Sequence, residues 1–209
     1  MSIALFTRQV ASIIIFVSAL TCVPLMSSGA SHKPPILGCE LRNSQQQSLT
    51  RQLDNRLPKH LPISVRLKRD KEKAFSELEN EQWLSEFELE VKNTGERPIY
   101  FFRLVLIPET GKPASERTLS FTLQYGRDDL VSLEAPVIPE DVAILPGEGV
   151  VLRIPAKELA GWDHLKKVQQ WPAEWSKPKK ATLMFETLNF GDGTGFDGGD
   201  GEPRQRKNP

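Results

Sequence analysis

The residues best suited to chemistry lie near the carboxyl end, where Asp192, Asp197, Asp200 and Glu202 alternate with six glycines between Gly191 and Gly201. Carboxylates on a glycine-rich loop are the hard oxygen ligands that calcium takes, about 6–8 per ion. A helix-loop-helix calcium frame started at Asp192 puts Thr194 third and Phe196 fifth, with Asp197 in the glycine slot and Pro203 where the final acid belongs. One irregular copy is also no tandem calcium roll. Two readings remain for this stretch. In the first, the glycines supply positive φ in a structural turn and Asp192 bonds nearby amides. In the second, Asp192, Asp197 and Asp200 hold a calcium ion.

Trp162, Trp171 and Trp175 form the second concentration, in a segment that also carries Lys166, Lys167, Lys177, Lys179 and Lys180. Exposed indoles beside polar groups stack on sugar rings, and the lysines suit acidic glycans or anionic lipid. The competing reading buries Trp162 on a helix face and uses Trp171 and Trp175 to seal the edge of a core. His32, His60 and His164 lie far apart and share no metal-ligand spacing. No nucleophile elbow, HExxH, phosphate loop or kinase signature occurs. The expectation is a non-enzymatic protein without a cofactor, unless calcium binds. A hydrolase site assembled across loops is the catalytic alternative, because triads are recognised by geometry and not by spacing.

Those residues need a scaffold, and the scaffold begins after an export signal. Met1–Gln9 carries Arg8 and no acid, Val10–Leu20 is apolar, and Ser28-Gly29-Ala30 offers a signal-peptidase site. Residues 1–30 are therefore expected to be a signal peptide, with an uncleaved anchor over 10–26 as the alternative. Export to the periplasm or the outside follows, and membrane contact only if the segment is retained. Cys22 and Cys39 both lie near imperfect lipoprotein boxes. Cleavage after Ala30 would leave Cys39 alone, as a free thiol or an intermolecular bridge. The 27 basic and 27 acidic residues cancel, so no global field draws the protein to nucleic acid. The partner expected is a protein or a glycan at the cell envelope.

Residues 31–60 read as a polar linker, with a short helix near 44–56, and residues 197–209 as a flexible glycine-rich and basic tail. Between them, 61–196 alternates as half-buried strands do. Strands are expected at Pro62–Lys68, Phe87–Lys92, Ile99–Ile107, Leu119–Tyr125, Val142–Leu145, Val150–Ile154 and Ala181–Phe190. The second and third are expected to form a hairpin across Asn93–Pro98, with the long third strand covered on both faces. Leu159, Trp162, Leu165 and Val168 repeat at helical spacing, predicting one helix over 158–170. Short antiparallel strands with one late helical insert describe a mainly β, immunoglobulin-like antiparallel β-sandwich.

Glu88-Leu89-Glu90-Val91-Lys92-Asn93-Thr94-Gly95, Pro98-Ile99-Tyr100-Phe101 and Leu145-Pro146-Gly147-Glu148 resemble the strand-turn signatures of immunoglobulin-like modules in bacterial envelope proteins. With Asn189-Phe190-Gly191-Asp192-Gly193-Thr194-Gly195-Phe196, the chain from Leu61 to Phe196 resembles a group of uncharacterised exported bacterial proteins that carry a C-terminal FGDGTGF turn. The resemblance implies fold and export, and no catalytic residue comes with it.

Overall fold

The computed structural model describes residues 50–110, 119–172, 175 and 177–206. The signal or anchor segment, Cys22, Cys39, the linker before residue 50 and the last three residues lie outside the described residues. Among the described residues no helix is long and apolar enough to cross a membrane.

The described chain is mainly β: two sheets and two short helices. The smaller sheet is antiparallel, in the order β2 (Ile63–Leu67), β3 (Glu88–Asn93), β6 (Gly149–Arg153). The larger runs β5 (Phe121–Tyr125), β4 (Phe101–Pro108), β7 (Lys180–Asn189), β8 (Thr194–Asp197), β9 (Glu202–Gln205). A further strand, β1 (Gln52–Asn55), joins β7 in parallel at its other half. The period-2 pattern fills a shared core, in which Leu89, Val91 and Leu152 of one sheet meet Leu104, Leu106, Leu123 and Leu183 of the other. Each such leucine stabilises the fold by about 1.5–3 kcal/mol when fully buried.

Three expectations need correction. β3 and β4 do not form a hairpin: β3 pairs with β2 and β6, and β4 with β5 and β7, so the chain passes between sheets through residues 94–100. Both strands carry a fully buried apolar stripe, and facing across a core satisfies two such stripes better than pairing side by side would. Gln52–Asn55, placed in the linker by its polarity, is a strand, since a parallel ladder with β7 needs only backbone groups on its paired side. The segment from Asp197 is ordered through Arg206 as the turn and return strand of the β8–β9 hairpin. Gly198 and Gly201, both at positive φ, allow the tight turn that its composition disguised as a tail.

β4 is covered on both faces near its start, because a 3-10 turn at Asp128–Val131 packs Leu130 over the side that carries Phe101. A bulge opposite Arg103/Leu104 shifts the register of β7. Ala181, Leu183 and Phe185 point inward before the bulge and Leu188 and Phe190 after it, so one strand keeps its apolar side chains in the core throughout. The expected strand at Val142–Leu145 is reduced to a single bridge between Ile144 and Ile99.

The domain thus has two ends. The connections 94–100, 126–148 and 190–193 gather at one, here called the loop end. The other, the tryptophan end, collects the β2–β3 connection with α1 (Glu72–Ser76) and the β6–β7 connection with α2 (Ala156–Val168).

Candidate functional site

Two asparagines at strand ends organise the loop end. Asn93 closes β3 and donates through Nδ2 to the carbonyls of Arg97 at 2.7 Å and Ile144 at 2.9 Å. Asn189 closes β7 and donates to Leu130 at 2.8 Å and Ser132 at 3.2 Å, while its Oδ1 accepts from Gly191 N–H at 2.7 Å. Both are almost fully buried, so these bonds replace water that neither amide can reach. The glycine stretch turns immediately after Asn189. Gly191 takes φ +80°, and a methyl there would strike the Tyr100 ring and Val137, both at 2.6 Å. At Gly195 a methyl would sit 2.0 Å from the Leu188 carbonyl oxygen. The motif is thus a turn built to place β8 against β7.

The structure does not bring the three proposed calcium ligands together. Asp192 lies in the β7–β8 turn, whereas Asp197 closes the far end of β8 and Asp200 lies in the next turn. The Asp192 carboxylate is engaged by Arg97 and by the Thr194 amide and hydroxyl, and Arg97 stacks over the Phe190 ring at 3.9 Å. Burial works against the charged form of Asp192, but the Thr194 hydrogen bond and the Arg97 charge outweigh it and hold the carboxyl below its ordinary range. Asp197 pairs with Arg204 at 3.1 Å. Among the described residues no group of three or more His, Cys, Asp or Glu side chains is placed to hold a metal.

At the tryptophan end the three indoles do come together, but as packing. Trp162 is 6% exposed and meets Phe121 at 5.5 Å and Trp171, edge-on, at 5.1 Å. Trp171 in turn meets Trp175 at 6.2 Å and 73°. Trp162 is therefore a core residue and cannot stack on a sugar; Trp171 and Trp175 are half-buried beside it. The lysines are largely occupied: Lys166 with Asp163, Lys177 with Glu79, and Lys180 with Asp54 and Glu109.

Sequence reading missed Arg51 at this end, although it is 2% exposed. Its guanidinium lies 4.2 Å from the Trp83 ring centre and donates to the carbonyls of Phe75 at 2.7 Å, Pro178 at 3.0 Å and Glu77 at 3.3 Å. Burial pushes its pKa down to about 10. An arginine beside a short polar strand gave no signal, because its partners are backbone carbonyls remote in sequence.

The segment that most resembles a binding surface is the β5–β6 connection, residues 126–148. It exceeds the roughly 12–15 residues within which most connections stay, and hydrogen bonds tether it at several points. Arg127 clamps both oxygens of Asp141 at 3.2 Å and the Pro136 carbonyl at 3.1 Å. Tyr125 donates its hydroxyl to the Val142 carbonyl at 2.9 Å, and Ile144 exchanges backbone bonds with Ile99. On this fixed backbone Val142 is 71% exposed, Leu145 50% and Ile138 37%. Beside them a groove of about 360 Å³ is lined by Tyr100, Tyr125, Ile138 and Val142. The signal was present in the sequence as Val142–Leu145, but this short apolar run was read as a strand when two of its side chains face solvent.

Several sheet edges, by contrast, are blunted. The outward amide of Thr122 on β5 donates to Glu158 of α2 at 2.8 Å. The all-exposed β9 carries Pro203, which has no N–H to offer, and the Val65 carbonyl of β2 accepts from Asn55 at 3.4 Å. These are the devices by which proteins stop edge strands from recruiting other chains.

Two sheets enclosing one core, with a long tethered loop displayed at one end, define a mainly β domain of sandwich-like architecture. No family model, curated protein or solved structure matches the chain.

Proposed function

We propose that the chain is an exported, non-enzymatic interaction module of the bacterial cell envelope, built on an immunoglobulin-like β-sandwich, and that it binds a protein partner through its loop end. The observation that carries this reading is the tethered 126–148 connection presenting Val142, Leu145 and Ile138 to solvent. Fixing backbone costs about 1–2 kcal/mol per residue, and here burial of Leu130 and Ile144 and the Arg127 clamp offset that cost while Val142 stays 71% exposed. An exposed apolar patch rimmed by polar residues marks an interaction site. Arg8, the apolar run 10–20 and Ser28-Gly29-Ala30 support export.

The glycan alternative draws less support, since Trp162 faces the core. The blunted edges of β5 and β9 favour docking at the loop end over addition of a partner strand.

The test is photocrosslinking in the producing cells. A photoreactive residue at position 142 should give a discrete adduct in the envelope fraction, and the same group at exposed position 164, on α2, should give none. Equal labelling from both positions, or a protein found wholly in the cytoplasm, would refute the reading.

A further inference from the structure

The charge around the exposed apolar groups points to the chemistry of the partner. From Gly126 to Glu148 the chain carries six carboxylates, Asp128, Asp129, Glu134, Glu140, Asp141 and Glu148, against one arginine and no lysine. The chain as a whole is balanced at 27 basic and 27 acidic residues, so the imbalance is local. Arg127 is already committed to Asp141 and Asp129. Glu148 accepts from the Leu145 amide at 3.0 Å and Asp128 from the Gln124 side chain, both neutral donors. Asp128, Glu134, Glu140 and Glu148 thus have no cationic partner among the described residues. Glu140 lines the groove with Tyr100, Tyr125, Ile138 and Val142, and the Arg127 that also lines it is neutralised there by Asp141.

We infer that this groove accepts a basic segment of a partner protein, one apolar side chain seated between Tyr100, Tyr125 and Val142 and flanking lysines or arginines over Glu140 and Glu148. The inference rests on the loop end being the binding surface and adds what binds there. An apolar anchor beside carboxylates that lack a cationic partner among the described residues is the complement of a cationic amphipathic peptide. Burial, and with it the charge of nearby Glu148, raises the pKa of Tyr125. Opposite potentials across such a surface raise the on-rate and reject acidic competitors. A groove of about 360 Å³ is in the range that takes one large side chain.

The experiment is selection of random displayed peptides on the full chain, counter-selected on a Val142→Ser/Leu145→Ser variant whose thermal unfolding matches the parent. The surviving peptides should carry net positive charge around at least one large apolar residue. Each synthesised survivor should bind about tenfold more weakly to a Glu140→Lys/Glu148→Lys variant, and more weakly as salt rises. A second reversal, Glu134→Lys/Glu140→Lys, leaves the Leu145 amide bond intact and guards against a folding effect. Survivors that depend on Val142 and Leu145 but are neutral or acidic would overturn this inference and leave the binding surface standing. If no peptide depends on those residues, both fall.

Discussion

The two ends of the domain use large apolar side chains differently. At the tryptophan end Trp162, Trp83 and Phe75 are buried, and even the charge of Arg51 is folded in against backbone carbonyls. At the loop end Leu130 and Ile144 are buried as well, but the strand ends are closed by two buried amides, Asn93 and Asn189, and Val142 and Leu145 are turned outward. Apolar burial closes one end of the core. At the other, Ile99, Leu130 and Ile144 are buried beside hydrogen bonds from Asn93, Asn189 and Arg127 that hold the loop backbone, and Val142 and Leu145 remain presented. A domain that needs one end for stability and one for recognition divides its residues in this way.

Changes at the tryptophan end should carry the largest effects. Trp162→Ala removes an indole between Phe121 and Trp171 and is expected to cost about 3–5 kcal/mol in urea unfolding; a cost under about 1 kcal/mol would return Trp162 to the list of ligand-facing residues. Arg51→Met keeps the stack on Trp83 but strands several buried carbonyls, with an expected loss of about 3 kcal/mol. At the loop end the glycine turn should respond to volume and not to charge. Gly195→Ala, with its contact on the Leu188 carbonyl, should cost about 2–3 kcal/mol. Asp192→Ala should cost about 1 kcal/mol or less, since the pair with Arg97 is exposed. Added calcium should leave the melting temperature unchanged, and a calcium-dependent rise lost in Asp192→Ala would restore the ion site.

Smaller effects sit on the sheets between the ends. Glu158→Ala releases the Thr122 amide at the β5 edge and should cost about 1–2 kcal/mol. Sedimentation should then show concentration-dependent association through that edge. On the outer face of the smaller sheet, Glu88 lies between Arg153 at 2.8 Å and Lys68 at 2.9 Å, and hydrogen bonds from these two lower its pKa from 4.5 to about 2. Because the folded value lies below the unfolded one, this stabilisation is present above the unfolded pKa and is lost as pH falls from 4.5 to about 2. Arg153 and Lys68 are partly solvated, so the contribution is about 1 kcal/mol. Glu88→Gln should flatten the fall in melting temperature over that interval, and an unchanged slope would show that another carboxylate controls it.

The strands β2, β3 and β5 were legible in the sequence because they alternate, β4 because it is a long apolar run, and β6 because turn residues, Gly147 and Pro155, bound it. Which strand pairs with which was not. The hairpin expected between β3 and β4 failed because alternation marks a buried face and does not say which sheet carries it. β1 and β9 were missed for a common reason: short polar edge strands are held by backbone bonds, which leave no mark on side-chain composition. The positive φ of Gly191 was legible from glycine content. The close approach of Gly195 to Leu188 was not, since it depends on the register of β8. The presentation of Val142 and Leu145 was hidden because a short, wholly apolar run reads as a strand whether its side chains are buried or exposed.

The most direct test of the division between the two ends is urea unfolding of the full chain carrying Val142→Ser and Leu145→Ser together. If those side chains are presented and not packed, the double variant should unfold within about 0.5 kcal/mol of the parent. A loss above about 2 kcal/mol would show that Val142 and Leu145 belong to the core, and the loop end would then be a second structural cap with no surface set aside for a partner.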